Sequence, residues 1–343
     1  MLLPFLRFLL FHCGKYGKIR AINLKLRIYP MKTLFLTPED DLQAAVNALN
    51  EPATVYLKSG TYRQKIEITA DDITVIGEDR ETTVITWDDY ARKMHADGKE
   101  YNTFRTYTLC VSGNNVRLEN LSVDNTNVNP SEAGQCVALS VHGKLFSAEN
   151  IDLRSTQDTL FLSPFPDDLV TRYKGFIPER QLYREGRSLH LFENCRIYGN
   201  VDFIFGCSEA YFKNCGIYSV YDARKTGFVA APAHPLAEEA GFTFIDCEFK
   251  RVGVGNREVY LARPWRDYGK CVFINCVLGE HIRPELFDKW NDTDRDKTAR
   301  FFYYGLSGIA TAPAEWAKEL TEKQTSDIIN TCNAKFKAIN HLI

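Results

Sequence analysis

The sequence predicts an all-β protein: a single-stranded parallel β-helix with a capping helix at its N-terminal end and a helical tail at its C-terminal end. Three observations carry this reading. A short motif recurs six times, its apolar positions alternate with period two, and no helical crossover pattern separates the copies. They read RLENLSV (117–123), SAENIDL (147–153), LFENCRI (191–197), YFKNCGI (211–217), TFIDCEF (243–249) and VFINCVL (272–278). Each holds Asn or Asp at one fixed place, at Asn120, Asn150, Asn194, Asn214, Asp246 and Asn275, with a small or apolar residue next. Alternation of this kind argues for strands. A strand so short would expose an apolar face if it stood alone, and stacked coils of about 20–30 residues bury it against their neighbours. The L-x-x-L-x-L signature of the rival leucine-rich solenoid is missing.

Taken in order, residues 1–30 hold one apolar stretch, LLPFLRFLLF, interrupted by Arg7. It lacks a basic start and a small-x-small cleavage site, which makes it a poor export signal, and it is too short for a membrane span. The natural start is expected at Met31, leaving 1–30 as an N-terminal extension and 31–343 as a single domain. Without an export signal the thiols are expected to be reduced and a cytoplasmic location is favoured, with secretion left open. Residues 37–49, TPEDDLQAAVNAL, combine a Thr cap, an early Pro and acidic residues into a helix start. Residues 313–338 read as an amphipathic helix. Both ends cover coils that would otherwise expose core and unpaired edges.

The 343 residues include 42 basic and 44 acidic ones, a net charge of −2. That balance gives no electrostatic case for nucleic acid or an anionic membrane as partner, and a monomer is expected. Of ten cysteines, Cys195, Cys215, Cys247 and Cys276 directly follow a marker, so they should stack as small core residues. No C-x-x-C pair with zinc spacing and no H-E-x-x-H occurs.

The repeat also locates a pair of acids. Asp158 lies eight residues after Asn150, and Asp202 eight after Asn194. On neighbouring coils, about 4.8 Å apart, their carboxylates cannot both ionise freely, so one pKa should rise and the other fall. The 44 residues between these markers allow either two coils of 22 or one coil with a long loop. The stretch SPFPDDLVTRYKGFIPERQ has three prolines and no copy of the motif, which favours a loop. Asp222 also falls eight residues after its marker, so phase alone does not assign catalysis.

Local sequence adds the rest. GTYRQ (60–64), GQCVAL (134–139), QDTLF (157–161), GNVDFIFG (199–206) and LARPW (261–265) make the chain resemble the pectin methylesterase (pectinesterase) family over most of residues 35–310. The resemblance implies a right-handed β-helix, the pectin-lyase-like solenoid, and hydrolysis of methyl esters of galacturonan, as polymer or oligosaccharide, without a cofactor or metal. It also implies Asp202 as nucleophile, Asp158 as general acid and later base, Gln135 and Gln157 as oxyanion-stabilising amides, and Arg263 as the arginine holding the nucleophile. Trp265 and Phe161 match aromatic positions facing the sugar chain. Two departures stand out. Gln64 replaces the usual Glu, with an expected effect on local contacts, and Ala262 replaces the usual Gly, with an expected effect on substrate fit. The loop 163–182 either walls one end of the cleft and favours short substrates or is an inert extension. The rival readings are a pectate lyase or polygalacturonase on the same scaffold, and a β-helix that only binds polysaccharide. The acid–amide–arginine set suits neither rival enzyme, and binding alone would not require Asp158. A serine esterase lacks its G-x-S-x-G.

Overall fold

The six markers all adopt left-handed backbone conformations, with φ between 53° and 56°. Asn and Asp tolerate that region better than other residues with a Cβ, so the chain turns sharply at each. The residue after each marker then points inward and is at most 1% exposed. In the computed structural model, which describes residues 32–127, 133–182 and 186–339, these turns join two of three parallel sheets wound into a right-handed β-helix. The first sheet has eleven strands, from Lys32–Leu36 to Lys318–Glu319; the second has eight, from Gly60–Tyr62 to Val277–Leu278; the third has seven, from Ile66–Ile68 to Val259–Ala262. The expected extension 1–30 and the start at Met31 lie outside the described residues.

Stacking makes like residues neighbours inside the coil. Phe192, Phe212, Phe244 and Phe273 lie in register on successive strands with ring centroids 4.9, 4.6 and 4.9 Å apart. Each such pair contributes about 0.5–1.5 kcal/mol beyond its area burial. Cys195, Cys215, Cys247 and Cys276 form the expected ladder, buried and free. Their thiols face the preceding coil, as with Cys247 Sγ at 3.3 Å from the Phe212 carbonyl oxygen.

Asn150 and Asn194 stand on adjacent coils. Leu145–Glu149 pairs with Leu189–Glu193, Asp152–Arg154 with Arg196–Gly199, and Leu160–Leu162 with Val201–Gly206. No coil intervenes. The chain after Leu162 instead leaves the barrel as an excursion with helices at Asp167–Tyr173 and Glu179–Leu182. A second excursion runs from Asp88 to Thr108. Asn125 ties it down by donating through Nδ2 to the carbonyls of Asp89 (2.9 Å) and Thr106 (3.0 Å).

The helical ends differ from expectation in their bounds. The N-terminal helix spans only Leu42–Asn47, and its cap is Asp41, which accepts from the Ala44 N–H at 2.8 Å. Thr37 instead closes a turn on Asp40. The C-terminal helix is Glu322–Ile339, not 313–338. Thr321 and Gln324 exchange side-chain-to-backbone bonds in a capping box, which fixes the start there. The preceding stretch is a turn at 314–317 followed by the short strand Lys318–Glu319, and its Trp316 packs on Phe287 and Phe301.

Candidate active site

The third sheet builds the site. Leu160 pairs with Ile204 and Phe161 with Phe205, and the same offset of 44 residues sets Asp158 beside Asp202. The Asp158 N–H donates to the Val201 carbonyl at 3.0 Å. Both aspartates have positive φ, 64° for Asp158 and 50° for Asp202, unlike the extended residues around them. A register shift between Val201 and Ile204 gives the Asp202 strand one more residue than its partner Phe228–Ala230. Such bulges re-aim side chains beside active sites. The two carboxylates are therefore turned out of the sheet by backbone geometry and remain only 9% and 8% exposed.

Their electrostatic settings differ. Arg263 grips Asp202 with two parallel bonds, Nε to Oδ1 at 2.8 Å and Nη2 to Oδ2 at 2.7 Å. The guanidinium is held between the rings of Phe228 (3.6 Å) and Trp290 (4.0 Å). It reaches over the strand Gly227–Pro232, where the small Ala231 faces the cleft. The expected fall of one pKa does not occur: burial raises that of Asp202 as well, and the arginine fork opposes that rise. Asp158 has no such fork: burial first, and then the negative charge of Asp202, push its pKa well above the ordinary carboxylate range. The two acids are thus ordered, with Asp158 holding its proton more tightly than Asp202.

Gln135, Gln157, Arg263 and Trp265 line the same cleft as the two aspartates, a space of about 490 Å³. Phe161 does not. It is fully buried, in edge and tilted contact with Phe104, Phe165 and Phe205. Its motif placed it on the outer face of the sheet, but the two excursions fold over that face and seal it, so Phe161 supports the cleft floor from below. Ala262 also lies elsewhere, in the barrel core, so its methyl does not meet the cleft. Gln64 bonds the N-terminal segment, donating to the Asp40 carbonyl at 2.8 Å.

Other lining groups belong to no motif. Leu169, Arg172 and Tyr173 come from the helix Asp167–Tyr173, inside the loop expected to wall the cleft, while Phe104 comes from the excursion 88–108 and Trp290 from a late turn. The excursions are locked together. Tyr173 Oη donates to Asn102 Oδ1 at 2.6 Å, Arg105 Nε to the Phe176 carbonyl at 3.0 Å, and Arg266 forks onto Asp168. Among the described residues, no group of three or more His, Cys, Asp or Glu is arranged to hold a metal ion.

The family model described as Pectinesterase matches residues 32–165 and 174–332. Pectinesterase QRT1 of Arabidopsis thaliana is 29% identical over 287 residues, covering 80% of this chain and 67% of that protein. Probable pectinesterase 8 of the same plant is 28% identical, covering 87% and 71%. Among solved structures, pectin methylesterase from carrot superposes with a TM-score of 0.74 at 20% identity, covering 91% of this chain and 97% of that one. Pectin methylesterase PemA from Erwinia chrysanthemi gives 0.71 at 23%, covering 86% and 94%. At these identities the structural likeness speaks for the fold. The family match, running through both aspartate-bearing coils, shows that the chain belongs to the pectinesterase family of carboxylic ester hydrolases.

Proposed function

We propose that this pectinesterase removes methyl groups from methylated galacturonan, with Asp202 as nucleophile and Asp158 as general acid and then base. The observation that carries the proposal is the asymmetric pair: two stacked carboxylates, one forked by Arg263 and one left to keep a proton. Ionised Asp202 attacks the ester carbonyl carbon. The oxygen that gains charge is met by the side-chain amides of Gln135 and Gln157, and each such donor lowers the barrier by about 3–4 kcal/mol. As the C–O bond to methoxide breaks, Asp158 gives it a proton and methanol leaves. The result is an anhydride between Asp202 and the galacturonate carboxyl. Asp158, now ionised, takes a proton from water, which attacks the anhydride, frees the acid and restores Asp202. Methanol release from a methylated oligogalacturonide tests this. Asp202→Ala should lose at least about 10⁴-fold in kcat with an unchanged circular dichroism spectrum. Equal rates in wild type and variant would exclude the assignment.

The substrate we infer is short, or engaged at a chain end. The family match breaks at residues 166–173, and the helix Asp167–Tyr173 falls there. Leu169, Arg172 and Tyr173 of this helix form one wall of the cleft, while Phe104 and Tyr173 meet above Phe161. The floor that continues as Phe205 and Ala231 is therefore shut on the Phe161 side. Replacing residues 166–173 by a short glycine-serine link should raise the rate on long pectin relative to that on a hexamer. An unchanged ratio would show that the helix does not set substrate length.

A further inference from the structure

Three aspartates share one phase of the coil, and the chemistry above uses two. The third, Asp222, sits in the turn between the strands Gly216–Val220 and Gly227–Pro232. Its Oδ1 accepts from the backbone N–H and the Nε of Arg224, both at 2.8 Å, and its Oδ2 accepts from Arg224 Nη2. The side chain of Asp222 is 9% exposed and that of Arg224 55%, so the acid is anchored and the arginine reaches outward from it. One donor, Nη1, extends to Oε1 of Gln157 at 3.3 Å, two coils away. Gln157, together with Arg92, lies between the catalytic cleft and a neighbouring pocket of about 290 Å³ that Asp222 and Arg224 line.

We propose that Asp222 and Arg224 are a positioning pair that sets the amide of Gln157 for the oxyanion. The reason lies in the two ends of a carboxamide. Turned one way, Gln157 offers N–H to a developing negative charge; turned the other, it offers a carbonyl oxygen and repels that charge. Arginine has donors and no acceptor, so Arg224 satisfies only the oxygen end and turns the NH₂ toward the cleft, where it also donates to Asp158. Asp222 fixes the guanidinium against rotation by the same two-bond geometry with which Arg263 fixes Asp202. The bond matters more as charge develops on the substrate oxygen, so it acts on kcat and little on KM.

The proposal rests on Gln157 acting in ester hydrolysis, and its test is a double-mutant cycle on methanol release. Arg224→Gln should lower kcat by ~10- to 100-fold with KM within about twofold. Arg224→Lys should stay impaired, because lysine keeps the charge and loses the fork, and Asp222→Asn should lose less than either. In a Gln157→Ala background, Arg224→Gln should change kcat by less than about twofold. Losses that multiply in full, a wild-type rate for Arg224→Lys, or a defect confined to KM would each overturn the positioning role while leaving the esterase reading intact. A wild type that releases no methanol would sink both.

Discussion

The interior of the coil and the outer face of its third sheet are made by the same successive coils but obey different rules. Inside, residues of one phase share one fate. Asn or Asp turns the chain, the next residue is buried, and Phe stacks on Phe through Phe192, Phe212, Phe244 and Phe273. On the outer face, residues of one phase diverge. Asp158 has its pKa pushed well above the ordinary carboxylate range, Asp202 is forked by Arg263, and Asp222 holds Arg224. Stacking dictates the interior because each coil can bury its face only against a like face. Nothing forces the outer face to repeat, and there the excursions and the long-reaching arginines decide what each side chain does.

Substitutions in the two regions should separate stability from activity. The largest interior effect belongs to Phe212→Ala, which removes a fully buried ring with neighbours at 4.9 and 4.6 Å. It should cost about 3–5 kcal/mol in denaturant unfolding and leave the kcat of the folded fraction unchanged. A drop in kcat without loss of stability would show that the interior and the site are coupled. A smaller effect is expected at the corner. Asn194→Ala forces a Cβ residue with no polar group into φ 56° and should cost ~1–2 kcal/mol, whereas Asn194→Gly should stay near wild type. Equal losses for the two would mean that the asparagine side chain, not its backbone, holds the turn.

This contrast also explains what could be read in advance. The markers made the coil legible because the left-handed corner is a local demand on one residue. The single-coil reading of the 44-residue gap held because three prolines and a missing motif are local as well. The motif residues Asp158, Asp202, Gln135, Gln157, Arg263 and Trp265 come together in one cleft. Phe161 was misplaced, as a substrate-facing ring, because its burial is created by Phe104 and Phe165, which arrive on excursions with no period to follow. The helix starts were misjudged for a smaller reason. The Asp41 cap and the Thr321–Gln324 box are short-range signals, but a Thr-Pro pair upstream and a Trp-bearing amphipathic stretch masked them. Arg224 had a faint signal, an arginine two residues beyond an aspartate of the catalytic phase.

The most direct test is the ionisation of the paired acids. Carboxyl carbon resonances of ¹³C-labelled aspartate, assigned with Asp158→Asn and Asp202→Asn, would be followed against pH. Burial raises both pKa values, but only Asp202 has the opposing fork, so its resonance should titrate first and that of Asp158 at clearly higher pH. Arg263→Met should move the Asp202 transition upward. Asp158 ionising before Asp202, or both titrating together at the pH of a free aspartate, would contradict the assignment of acid and nucleophile.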